Sequence, residues 1–203
     1  MKTALLIIEW LLLFVGVPLF AWSDFYQGSK LLIFVLPVAY SALIYFHYRP
    51  DIRPVIPRYN LYLGSRTLAG LVFLFLLALW LVPDGFMFLP REKQDLWLLI
   101  LVLYPLISAL PQEFYFRRFY FWRYERLFRN QWLLMISSAL TFMFIHIVYD
   151  NWVAILLTLA GGLLFSFTYM QTRRLSLCWI EHSIYGLAIF TAGLERFLYE
   201  PVA

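Results

Sequence analysis

The sequence predicts an all-α membrane protein, a polytopic bundle of about seven, or eight, transmembrane helices. First, 63% of the 203 residues are hydrophobic and 14% are charged, whereas soluble domains average about 45–50% and about 25%. Second, the apolar residues form runs long enough to cross a hydrocarbon core of about 30 Å. Third, the segments between the runs are short and hold most of the arginines, as membrane loops do.

The apolar runs give the helices of this bundle in chain order. They occupy residues 4–22, 31–48, 67–83, 96–114, 131–149, 152–170 and 175–194. The one long connection, residues 49–66, contains three prolines, which break any helix there. Because no soluble segment or repeat interrupts the series, we expect one integral membrane domain over residues 1–203.

The basic residues predict the orientation of the chain. With seven spans, the N-terminus and the loops after the second, fourth and sixth spans share one side, and they carry most of the 16 Lys and Arg residues. Cytoplasmic loops are enriched in these residues. We therefore expect the N-terminus and an arginine-rich loop over residues 117–129 to be cytoplasmic, with the arginines on anionic headgroups. Their position between apolar runs favours membrane lipids, and not nucleic acid, as partners.

A few ionisable residues fall within the apolar runs, where each costs about 2.5–3.5 kcal/mol to insert. Glu113 and Arg117 have the i, i+4 spacing that allows a pair on one helix face. His146 and His182 lie in the fifth and seventh spans. Helix packing could bring all four into one pocket. The same residues are equally compatible with a purely structural interpretation, in which Glu113 and Arg117 form an ion pair and the two histidines are part of the core.

Taken together, these residues favour hydrolytic chemistry. A carboxylate and two imidazoles can deprotonate and orient a water and stabilise an oxyanion. One glutamate and two histidines are equally the protein ligand set of a catalytic zinc ion. The HExxH signature of soluble zinc proteases is absent. The residues alone therefore leave both kinds of chemistry open.

Three short segments resemble the motifs of a known family. They are QEFYFR (112–117), FMFIH (142–146) and HSIYG (182–186). In order and spacing they are similar to the EExxxR, FxxxH and HxxxN motifs of the CPBP family. That family comprises type II CAAX prenyl proteases and bacteriocin-processing or self-immunity proteins. The resemblance covers about residues 96–194, which would form a CAAX-protease-like catalytic core.

The resemblance implies an intramembrane endopeptidase in a bacterial plasma membrane. Its substrate would be a lipidated or hydrophobic peptide or protein, with prenylated substrates included. Carried over position by position, Glu113, Arg117, His146 and His182 take catalytic positions. Phe142 takes the first position of the second motif.

Two positions depart from the family pattern. Gln112 replaces the first glutamate, which the family uses as general base, and Gly186 replaces the asparagine of the oxyanion site. Glu113 could act as the base instead. Alternatively, Zn²⁺ held by Glu113, His146 and His182 could lower the pKa of the water. Asn151 and Tyr185 are candidate substitute donors.

Loss of activity is the remaining outcome that these departures allow. The chain would then be a non-catalytic scaffold, a pseudoprotease that binds peptides in the same pocket. A small membrane transporter could use the same buried polar residues. No inverted repeat in the sequence supports the transporter.

Overall fold

The computed structural model describes residues 3–23, 25–26, 28, 33–57 and 62–198, and within these ranges it contains helices and connections but no strand. In chain order the helices are α1 (Thr3–Trp22), α2 (Val35–Tyr48), α3 (Leu63–Leu81), α4 (Phe88–Glu92), α5 (Gln94–Tyr124), α6 (Gln131–Tyr149), α7 (Trp152–Thr172) and α8 (Leu175–Ala192). Six of them, all except α2 and α4, are long and apolar enough to cross a membrane. The predicted all-α polytopic bundle is confirmed.

Six of the seven predicted spans correspond to these six long helices. The predicted span 31–48 corresponds to α2, which has 14 residues, while residues 31–32 lie outside the described part of the chain. An eighth crossing has no counterpart in the described ranges. Asn130 and Asn151 cap α6 and α7 by accepting a backbone N–H, and Gly193 ends α8 in the left-handed conformation.

The prediction of an arginine-rich loop over residues 117–129 is wrong for residues 117–124, because α5 has 31 residues and continues through Tyr124. The helix extends because its aromatic side chains are buried. Phe119, Tyr120, Phe121 and Tyr124 each have an exposed fraction of 0%. Arginines and tyrosines lower the hydropathy of this stretch. Burying the rings against the rest of the bundle nonetheless stabilises a helix there.

Helix α5 also departs from regular α-helical geometry in two places. Wider π-helical turns occur at Tyr104–Ala109 and Phe114–Phe119, on either side of the α-helical turn Leu110–Glu113. Pro105 and Pro111 lack the N–H that would continue the regular hydrogen-bond pattern, and a proline ring crowds the carbonyl one turn earlier. Glu113 therefore lies between two π-helical segments, a feature common near functional sites.

The buried side chains form two clusters. In the first, rings of α1 and α5 pack together, with Phe14 stacked on Tyr115 at 4.8 Å between ring centres. The second joins α3, α7 and α8 and includes Leu74 and Phe165. Phe142 of the first cluster and Phe165 of the second both contact the ring of His182. His182 therefore lies where the two clusters meet.

The outer surface of the bundle is apolar. Leu43, Trp80 and Ile107 have exposed fractions of 73%, 74% and 68%. In a protein surrounded by water so many exposed large side chains would be unfavourable, but hydrocarbon is their normal environment. The surface therefore agrees with an integral membrane location.

Candidate active site

Glu113 and Arg117 form an ion pair inside the bundle. Both side chains have an exposed fraction of 0%, and Arg117 Nε lies 3.3 Å from Glu113 Oε2. Arg117 also donates to the Ser138 hydroxyl on α6 at 3.0 Å, and its guanidinium lies 5.0 Å from the centre of the Phe142 ring. The predicted i, i+4 pair is therefore present. Two charges so fully removed from water need further partners to offset their desolvation.

His182 supplies such a partner to Glu113. Its Nδ1 lies 2.8 Å from Glu113 Oε1, and its Nε2 lies 3.0 Å from the Tyr104 hydroxyl. A carboxylate only accepts, so in the neutral imidazole Nδ1 carries the proton and Nε2 accepts from the tyrosine. The result is a continuous series of polar contacts, Arg117–Glu113–His182–Tyr104. It links α8 to two separate turns of α5.

His146 lies beside this series without a direct hydrogen bond to it. Its Nδ1 is 2.7 Å from the Phe142 carbonyl oxygen one turn earlier in α6. The ring of Phe142 lies 4.9 Å from that of His146 and 5.6 Å from that of His182, between ring centres. Phe142 thus contacts both imidazoles. The structure brings Glu113, Arg117 and His182 into contact, and it places His146 against the Phe142 ring, which also contacts His182.

Tyr104 was missed by the sequence analysis, and Gly186 explains how it fits. A Cβ at Gly186 would overlap the hydroxyl and ring of Tyr104. The position where the family has asparagine thus leaves room for a tyrosine from another helix. The available signal was a tyrosine directly before Pro105 in a predicted span, together with that glycine. Neither feature identifies its partner without the packing.

The predicted supporting residues are distributed differently. Gln112 donates to the Ser108 hydroxyl on its own helix at 2.9 Å. Asn151 caps α7, and its amide nitrogen donates to the Phe197 carbonyl oxygen at 2.7 Å. Tyr185 turns towards α3 and donates to the Arg66 carbonyl oxygen at 3.2 Å. None of these three polar groups joins the series around Glu113. Asn151 and Tyr185 instead hydrogen-bond to backbone groups at the start of α7, at Phe197 and in α3.

A neighbouring buried carboxylate helps to set the rotation of α8. Glu181 precedes His182 and pairs with the Arg66 guanidinium of α3. It also accepts a hydrogen bond from the Thr168 hydroxyl of α7 at 2.7 Å. Consecutive helix residues point about 100° apart. Holding Glu181 towards α3 and α7 therefore directs His182 towards Glu113.

In this arrangement the predicted zinc ligands contact other partners. Over the described ranges, no three His, Cys, Asp or Glu side chains are placed to hold one. Both ring nitrogens of His182 and the Nδ1 of His146 lie within hydrogen-bonding distance of other atoms. Binding Zn²⁺ through Glu113, His146 and His182 would require His182 to turn. Zinc binding stays a prediction.

One oxygen of the ion pair is left available for further contacts. Glu113 Oε2 and Arg117 Nε face each other but neither makes a well-formed hydrogen bond. Buried polar atoms are nearly always hydrogen-bonded. The Glu113–Arg117 contact is therefore an exception among buried polar groups, held by charge attraction without a well-formed hydrogen bond between the facing atoms.

Comparison with protein families identifies this region. Residues 94–188 match the family of Rce1-like type II CAAX prenyl endopeptidases. The matched range contains all three motifs and Tyr104, and it confirms the resemblance stated from the motifs. At the level of the family it supports a CAAX-type intramembrane protease. Comparison of the chain with curated proteins and with solved structures found no match.

Proposed function

From the family match over residues 94–188, we propose that this protein is an intramembrane endopeptidase. Its substrate is a lipidated or hydrophobic peptide, and the family description names a CAAX prenyl endopeptidase. The observation that carries this proposal is the buried series Arg117–Glu113–His182–Tyr104. It puts a carboxylate, an imidazole and a hydroxyl within hydrogen-bonding distance at the meeting point of the two buried clusters.

His182 is the group that removes a proton from water. Glu113 Oε1 faces Nδ1 of His182 and Oε2 faces Arg117, so the carboxylate orients the imidazole and stabilises its charged form. Nε2 is then the free base. This replaces the sequence-based idea that Glu113 itself takes the proton. It also gives a role to Glu113, although the preceding position, where the family has its first glutamate, is Gln112.

Tyr104 stabilises the charge that develops on the substrate, whereas His146, whose Nδ1 donates to the Phe142 carbonyl oxygen, has only an acceptor at Nε2 when neutral. A water that takes the place of the Tyr104 hydroxyl at Nε2 frees that hydroxyl to donate to the oxyanion. The proton of the water passes to Nε2, and the hydroxide attacks the carbonyl carbon. The C–N bond then breaks as the imidazolium returns the proton to the leaving nitrogen. Donors at an oxyanion contribute about 10²- to 10³-fold to such a reaction.

The proposal is tested by hydrolysis of a quenched fluorescent peptide by the purified full chain in lipid vesicles. Glu113→Gln and His182→Asn should each lower kcat by about 10²- to 10⁴-fold, the usual contribution of a positioned base. Tyr104→Phe removes one donor to the oxyanion and should lower kcat by about 10²- to 10³-fold. The matched control is Glu125→Gln, which removes an exposed carboxylate just after α5. Cleavage by Glu113→Gln at the rate of that control would overturn the proposal.

A peptide-binding pseudoprotease is the second candidate, and one observation favours it. The first motif position holds an amide, Gln112, and this amide is occupied by Ser108 on the same helix. In that case the natural chain binds the peptide without cutting it. Gln112→Glu distinguishes the two: cleavage present only in this variant identifies a silent binding protein. Equal or faster cleavage by the natural chain identifies an enzyme.

A further inference from the structure

A basic cleft lies apart from the group around Glu113. It has a volume of about 610 Å³ and opens between α2, the segment after it, α5 and the junction of α7 with α8. Three arginines line it: Arg118, Arg173 and Arg174. None of its described lining residues is acidic. The cleft therefore carries an excess of positive charge that a bound anion would balance.

Two of these arginines are held in place before any ligand binds. Arg118 Nε donates to the Tyr45 hydroxyl at 2.7 Å, and its NH1 group lies 3.4 Å from the Arg173 carbonyl oxygen. The Arg173 guanidinium lies 5.5 Å from the centre of the Phe121 ring. A guanidinium that is already fixed loses less conformational entropy on binding an oxyanion.

The start of α8 adds neutral donors to the same cleft. Arg174 precedes the helix, and no side chain caps it. The N-cap side chain therefore accepts none of the backbone N–H groups of the first turn, which begins with Leu175 and Ser176 in the lining of the cleft. Such N–H groups and the dipole of an 18-residue helix favour a phosphate oxygen.

One wall of the cleft is apolar and faces outwards. Phe46 of α2 stacks on Phe114 of α5, with ring centres 6.1 Å apart and planes inclined by 9°. The exposed fraction of Phe46 is 63%. A free inorganic anion would gain nothing from this wall. A ligand with both an anionic head and an apolar body would bury it.

We propose that this cleft binds an anionic phospholipid, with the phosphate on Arg118, Arg174 and the start of α8. Its acyl chains follow the Phe46–Phe114 wall. The bound lipid joins α2, α5 and the α7–α8 junction. This site does not depend on the hydrolytic function, because no residue of the Glu113 group lines it.

The test is native mass spectrometry of the detergent-purified full chain, titrated with phosphatidylglycerol or phosphatidylcholine. Arg174→Gln is the main variant, because this side chain is exposed and its loss should leave the fold intact. Arg118→Gln is the second. Each should raise the Kd for phosphatidylglycerol about fivefold, since a basic group near an anionic headgroup contributes about 1 kcal/mol. The control is Arg129→Gln, an exposed arginine outside the cleft, which should leave the Kd unchanged.

Three results would overturn the proposal. Equal weakening by Arg129→Gln and Arg174→Gln would mean that only the general surface charge attracts the lipid. Equal affinity for phosphatidylcholine would mean that the headgroup charge is not recognised. Displacement of phosphatidylglycerol by an equal concentration of inorganic phosphate would identify a free-anion site. If Arg118→Gln fails to fold, Arg174→Gln carries the test alone.

Discussion

Two arginines of α5 pair with glutamates, and the two pairs differ in their hydrogen bonding. Arg123, near the end of α5, binds Glu9 of α1 through two nitrogens, at 2.8 and 2.6 Å. The hydroxyls of Tyr124 and Tyr40 complete the carboxylate at 3.0 and 3.2 Å. In the middle of the helix, Arg117 reaches Glu113 at 3.3 Å and leaves both facing atoms without a well-formed hydrogen bond.

On the proposed function, the difference separates a structural ion pair from one that belongs to the active site. The Glu9–Arg123 pair keeps about a tenth of each side chain exposed, at 12% and 11%, and four hydrogen bonds satisfy its carboxylate. It joins α1 to α5, and both oxygens of the Glu9 carboxylate accept hydrogen bonds. The Glu113–Arg117 pair is fully buried. The other oxygen of its carboxylate, Oε1, is hydrogen-bonded to His182. Incomplete satisfaction at such burial is costly, and it is expected where binding or chemistry requires it.

The largest expected effect comes from breaking the two pairs in parallel. Arg117→Gln leaves Glu113 buried without its charge partner and should lower the free energy of unfolding by about 3–5 kcal/mol. Arg123→Gln should cost less, about 1.5–3 kcal/mol, because Glu9 keeps two tyrosine hydroxyls and some access to solvent. Chemical unfolding in one detergent, with Arg129→Gln as the control, measures both. An equal or larger loss for Arg123→Gln would remove the distinction between the pairs.

A middle-sized effect is expected at Gly186. Gly186→Ala places a methyl group on the ring of Tyr104 and should cost about 1–3 kcal/mol through overpacking. Adding Tyr104→Ala should recover part of that loss, because the colliding ring is gone. The control is Gly64→Ala in α3, where no described atom lies within 4 Å of the added methyl. It should be neutral or slightly stabilising. Additive losses in the double variant would show that Tyr104 does not occupy this space.

The smallest effect is expected for Gln112→Ala. This change removes one neutral hydrogen bond, to Ser108 on the same helix, and should cost about 1 kcal/mol or less in unfolding free energy. Peptide hydrolysis should stay close to that of the natural chain, because no base is lost. A fall in kcat comparable to that of Glu113→Gln would instead place the chemistry at the first motif position.

The sequence predicted the parts of this site that depend on local spacing. The Glu113–Arg117 pair follows from i, i+4 geometry, and the scarcity of ionisable groups in the spans pointed to His182. The motifs also located the region that matches the protease family. These features are readable because a charge in an apolar run is costly wherever the run packs.

The remaining parts depend on packing between helices, which no local pattern encodes. Hydropathy ended the fourth span at residue 114, whereas ring burial carries α5 to Tyr124. Tyr104 begins a π-helical turn of α5, and it fits beside His182 because Gly186 on another helix leaves room for its ring. The sequence offered Asn151 and Tyr185 as donors to the site. In the structure Asn151 caps α7 and Tyr185 donates to a backbone carbonyl oxygen.

The central claim is that Glu113 and His182 act as one catalytic unit, and a double variant tests it most directly. Peptide hydrolysis is measured in vesicles for Glu113→Gln, for His182→Asn and for the two combined. Groups that act as a unit give non-additive losses. We predict that kcat of the double variant falls no further than that of the more impaired single variant. Losses that multiply, or a single variant that cleaves as fast as the natural chain, would contradict the claim.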